Sequence, residues 1–154
     1  MTYETFIKEY LEKGLIKKQK ADFKSAEKLI LRARKDIKTA RANLSIDEGI
    51  AYTVAYLAML RAGRALMLLK GFRPADRFQH KTVVEFMSHC LGKKFAMIVI
   101  RFDKMRRKRN IFTYDVAVSI SKTEANNALN TAVEFVEIIE KVIKDEHPQI
   151  KFKF

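Results

Sequence analysis

Between residues 50 and 69 apolar side chains fall on nearly every side of a helical wheel, interrupted mainly by Thr53, Arg61, Gly63 and Arg64. A helix of that kind is stable in water only when other elements surround it, so this segment belongs at the centre of a bundle. Its two arginines set it apart from a membrane span. Ala58, Ala62, Gly63 and Ala65 lack bulk and let neighbouring helices come close. Ser45-Ile46-Asp47-Glu48 has the form of a capping box at its start, and Lys70-Gly71 supplies the stop.

The remaining segments supply the surrounding layer. Phe6, Ile7, Tyr10 and Leu11 recur at helical spacing before Gly14. After Asp22, the residues Phe23, Ala26, Leu29, Ile30, Ala33, Ile37, Ala40 and Leu44 form one apolar stripe, with Lys28, Arg32, Lys35 and Lys38 opposite. Residues 72–81 read as the longest loop, and Thr82-Val83-Val84-Glu85 as the cap of a short helix ending at Gly92. Phe95, Ile98, Val99, Phe102 and Met105 mark a further helix, which runs into Arg106-Arg107-Lys108-Arg109. Alternation at Val116, Val118 and Ile120 is too short for a sheet and reads as a connector. Ser121-Lys122-Thr123-Glu124 is a third capping box, opening a helix to about residue 144. The tail, 146–154, is expected to fray, although Phe152 and Phe154 could dock. With only 5 Gly and 2 Pro the chain has too few turn-formers for an all-β fold. The expectation is all-α: a single domain over 1–154, built as an antiparallel helical bundle of five to six helices.

The chain holds 31 basic and 18 acidic residues, for a net charge of +13, which attracts polyanions. Cys90 is the one cysteine and cannot close an intramolecular disulfide, and neither a signal peptide nor a membrane span is visible, so a cytoplasmic location is expected. Cations are densest at Arg101, Lys104, Arg106, Arg107, Lys108 and Arg109. A helix C-terminus favours two or three such charges through its dipole, but six repel one another unless an anion such as phosphate lies among them. Arg61 and Arg64 must either pair with acids such as Asp103 or Glu134 or line the same cleft as Arg109, because unpaired buried arginine is costly. Glu85 and His89 lie four apart, and Cys90 adjoins His89, but neither pairing has the further ligands or geometry of a metal or thiol site. No metal or cofactor is expected, and no glycine-rich phosphate loop or Ser-His-Asp pattern is present.

The hexapeptide Arg109-Asn110-Ile111-Phe112-Thr113-Tyr114, the stretch Ala51-Tyr52-Thr53-Val54-Ala55-Tyr56-Leu57-Ala58-Met59-Leu60-Arg61-Ala62-Gly63-Arg64-Ala65-Leu66 and the turn Lys70-Gly71-Phe72-Arg73-Pro74 together resemble the HEPN domain family. The similarity runs over about residues 26–143. The family pattern has an arginine, a polar residue and a later histidine; Arg109 and Asn110 match the first two, and Tyr114 stands where the histidine would be. The resemblance implies a helical bundle that forms a homodimer, with two copies of the motif facing across a cleft. Active members are metal-independent ribonucleases in which the histidine handles protons and the arginine holds the scissile phosphate. Imidazole exchanges protons near pH ~6.5, whereas a phenol is mostly protonated at neutral pH and a poor base. The expected function is therefore RNA or nucleotide binding with a degenerate ribonuclease motif. Arg109, Asn110 and Tyr114 form its centre, and Arg101, Lys104, Arg106, Arg107 and Lys108 receive phosphate. The alternative implied by the resemblance is one half of a toxin and antitoxin pair that docks a small nucleotidyltransferase, with Tyr114 as the modified residue.

Overall fold

The computed structural model describes residues 1–75 and 77–154. In chain order the elements are α1 (Tyr3–Glu12), β1 (Ile16–Lys18), α2 (Phe23–Asn43), α3 (Glu48–Leu69), β2 (Phe72–Pro74), α4 (Gln79–Leu91), a 3₁₀ turn (Lys93–Phe95), α5 (Ala96–Tyr114) and α6 (Lys122–Glu146). The fold is all-α with a small two-stranded antiparallel sheet that pairs Ile16 with Pro74 and Lys18 with Phe72.

α3 is the hub, packing against α2, α4, α5 and α6. Its residues Ala51, Ala55, Tyr56, Ala58, Met59, Ala62, Ala65 and Leu66 are wholly buried, as all-round hydrophobicity requires. Two glycines set approach distances. A Cβ on Gly63 would lie 2.7 Å from Val83 Cγ1 of α4, and one on Gly49 would lie 2.3 Å from Phe112 Cζ of α5. Gly71 at φ 91° and Gly92 at φ 76° end α3 and α4 in the left-handed region that L side chains avoid.

Ser121 caps α6 as its sequence predicts, accepting from the Glu124 amide, and Asp22 caps α2, accepting from the Ser25 amide. Elsewhere the structure differs from expectation. Asp47, not Ser45, caps α3, accepting from the Ile50 amide at 3.0 Å. The amides of Ile46 and Asp47 both donate to Asn43 O, which keeps the chain turning past Ser45. α4 begins at Gln79, so Thr82 is an interior helical residue, buried, whose amide donates to Phe78 O at 2.9 Å. Phe78 precedes the helix at φ 54° without a side-chain cap; burial of Val83, Val84, Phe86 and Met87 anchors α4 instead. The expected loop at 72–81 opens with β2, whose pairing brings the Ala75 amide to Leu15 O at 2.9 Å. Asp76, within that loop, lies outside the described residues. The tail docks rather than frays: Phe154 is buried, with Arg34 and Lys144 cations 5.9 and 5.3 Å from its ring centre, and the Lys153 amide donates to Glu27.

Arg61 pairs across to Asp36 of α2, not with Asp103 or Glu134. Asp36 is 3% exposed and also meets Arg32 Nε at 3.3 Å.

Candidate functional site

The buried residues of α5, Ile98, Val99, Phe102 and Met105, follow a helical stripe toward α3. Arg109 is the next position on that stripe, four residues beyond Met105, so its stem enters the bundle rather than solvent. Its Nε is buried and has no hydrogen-bond partner among the described residues; its Nη1 reaches only Asn110 Oδ1, at 3.4 Å. Arg64 of α3 is in the same condition. Its Nη2 donates to Gln79 Oε1 at 2.9 Å while its Nε is buried and unpartnered among the described residues. Burial opposes the charge of Arg64, yet a guanidinium stays protonated, so the site holds a desolvated cation seeking an acceptor.

Gln79 and His80, in the first turn of α4, face the same place. His80 Nδ1 lies 3.0 Å from Tyr56 Oη, whose phenol burial keeps protonated. Burial holds the His80 imidazole below its ordinary 6.5, and Arg64, Arg109 and Arg106 push it the same way. Three helices thus gather the polar tips of Tyr56 and His80, the amides of Gln79 and Asn110 and the guanidiniums of Arg64 and Arg109, a set suited to gripping a phosphate or another oxyanion.

The imidazole's environment has a measurable consequence. Because the unfolded chain binds a proton at higher pH than the folded one, His80 costs stability below its folded midpoint, and that cost disappears as pH rises through 6.5. An NMR titration of the ring is expected to show a midpoint below 6.5 in the free protein. A midpoint at or above that value would mean that the ring is neither buried nor faced by the three arginines.

Four of the six clustered cations are answered within the chain. Arg101 meets Glu134 at 3.7 Å, Arg106 and Arg107 share Asp103 at 2.9 Å each, and Lys108 meets Glu124 at 3.5 Å. Lys104 and Arg109 have no carboxylate partner among the described residues. Asn110 is half-buried beside Arg109, but α5 stays helical through Tyr114, which places Tyr114 about 140° around the axis from Arg109. Tyr114 is 86% exposed, so the chain brings Arg109 and Asn110 together and leaves Tyr114 on another side.

Tyr56, Gln79 and His80 escape sequence reasoning because nothing local marks them; only the return of α4 onto α3 unites them with Arg109. Arg64 does carry a signal, a charge inside an apolar helix. The other candidates prove structural. Glu85 accepts from the Tyr10 hydroxyl, His89 stacks on Phe6 with centroids 4.2 Å apart, and burial pushes the Cys90 thiol to about 11, away from nucleophilic use. Among the described residues no cluster of three or more His, Cys, Asp or Glu could hold a metal, and no helix is long and apolar enough to cross a membrane.

A family model for the HEPN domain matches residues 26–142, the span from early α2 to late α6. No curated protein and no solved structure matched.

Proposed function

The chain belongs to the HEPN domain family, a membership that points to a nucleotide- or RNA-related role, and on that premise we propose that it binds RNA or a nucleotide through the site around Arg109. One observation carries the reading: Arg64 and Arg109 hold buried Nε donors that no described residue accepts. Leaving such donors unmet costs free energy, and a phosphate oxygen recovers it through charge-assisted hydrogen bonds. Lys104 and the partly neutralised cations of α5 extend the positive surface outward from that anchor. Two copies facing each other as a homodimer would double the anion field. Ribonuclease chemistry is reduced or absent in this reading, because Tyr114 stands clear of Arg109 in each subunit.

The test is fluorescence anisotropy with a labelled single-stranded RNA, run from about 50 to 200 mM salt. Affinity is expected to fall log-linearly with salt, with a slope of about −0.7 per phosphate neutralised. Arg109→Ala is expected to weaken binding about 10- to 100-fold, the loss of a charged hydrogen bond, with its thermal unfolding close to that of the wild type. Absent or salt-indifferent binding would contradict the reading, and light scattering of the same sample decides between monomer and dimer. The exposure of Tyr114 at the end of α5 favours a second reading, docking of a nucleotidyltransferase that modifies this phenol. Intact mass then shows one added nucleotidyl unit, lost in Tyr114→Phe; an unmodified mass after production with such a partner rejects it.

A further inference from the structure

α5 and α6 both lie on α3, and between them runs a groove of about 400 Å³. Its floor is Tyr52, Met105 and Ala128, all buried, and its sides carry Lys104 from α5 and Asn127 and Thr131 from α6. The two ion pairs that cross from helix to helix, Arg101 to Glu134 and Lys108 to Glu124, stand on either side of Lys104 along α5. They span about 10 Å of that helix, seven residues at 1.5 Å each.

This geometry restricts the occupant. A peptide in extended or helical form needs a groove that continues past both ends, whereas here an ion pair crosses each end. What fits is a compact group entering from outside, with a flat apolar face for the floor, polar edges for the amide and hydroxyl of α6, and negative charge for Lys104. The volume lies in the range of small-molecule sites, which are mostly apolar with a few placed polar groups. Burial pushes the Tyr52 phenol to about 12, so its hydroxyl remains a donor at neutral pH.

We propose that the groove between α5 and α6 takes one nucleobase of single-stranded RNA, seated over Tyr52 and Met105, with its polar edge at Asn127 and the adjoining phosphate on Lys104. The proposal rests on the reading of the protein as an RNA or nucleotide binder and gives that reading a second contact, on the side of α5 away from His80. An aromatic and thioether floor beside a cation is the combination that holds unpaired bases without demanding one sequence.

Two measurements test it. RNA carrying a single 4-thiouridine is irradiated with the protein, and the adduct is mapped by mass spectrometry; it is expected on the peptides that contain Met105 or Asn127. Lys104→Ala and Asn127→Ala, both at exposed positions and so without consequence for folding, are each expected to weaken binding of that RNA about 3- to 10-fold. An adduct confined to other peptides, or wild-type affinity in both variants, overturns the groove; if Arg109→Ala still weakens binding, the main reading survives. Failure of the wild-type protein to bind the RNA at all overturns both. Binding of an acidic peptide that depends on Lys104 and Asn127, with no RNA crosslink, assigns the groove to a protein partner and overturns the proposal.

Discussion

Asp36→Ala is expected to lower the stability of the fold by about 2–3 kcal/mol, read as a fall in the urea midpoint with unchanged slope. Asp36 is 3% exposed and receives both Arg61 from α3 and Arg32 from its own helix. Removing it leaves the Arg61 guanidinium against the α2–α3 interface with no acceptor, and desolvated charge of that sort is expensive. The loss stays under the ~3–5 kcal/mol of a fully buried pair because the Arg61 side chain is 29% exposed and keeps a path to water. A double substitution gives the sharper check. Asp36→Leu combined with Arg61→Met replaces the pair by apolar volume and is expected to recover most of the stability. If the double variant is as unstable as Asp36→Ala, the damage comes from packing and not from the orphaned cation.

Gly49→Val is the second large effect, and it connects the fold to the site. A Cβ at that position would sit 2.3 Å from the Phe112 ring, so the ring must leave the space it occupies against α3. The gain in helix propensity from losing glycine is worth at most ~1 kcal/mol, while overpacking costs about 1–3 kcal/mol, and the clash prevails. Phe112 lies three residues beyond Arg109, and its contact with Gly49 ties the end of α5 to the start of α3. Displacing it is expected to raise hydrogen exchange in the last turn of α5 and to weaken RNA binding even though no contact residue has changed. Gly49→Val paired with Phe112→Ala is expected to restore part of the lost stability. Exchange in α5 that matches the wild type would show that Phe112 does not hold the helix end.

How much of this was legible from residue order alone follows the range of the interactions. α2 and α6 are long and one-sided, so Phe23, Ala26 and Ile30 or Ala128, Ala132 and Phe135 declare a helix within a single window. Their caps at Asp22 and Ser121 are local too, as are the glycine stops at Gly14, Gly71 and Gly92. α4 starts one turn before the cap that Thr82 imitates, because Phe78 is an unusual residue ahead of a helix. The two-stranded sheet has no sequence signal because three-residue strands have no period to detect, and Ile16 meets Pro74 only through the tertiary fold. The site divides in the same way. Arg109 and Asn110 are visible in the basic run, and Arg64 as a misfit charge, but the assembly of Tyr56, Gln79 and His80 around them depends on the return of α4 to α3. Local sequence does not encode that return.

The two short strands do more than close a gap between helices. β2 ends at Pro74, a few residues ahead of Gln79 and His80, and its ladder to β1 fixes the point from which the chain departs toward them. The imidazole therefore inherits its position from Ile16, a wholly interior residue more than sixty positions earlier in the sequence. Evolution or engineering could retune the oxyanion grip by altering that remote anchorage, leaving every guanidinium untouched.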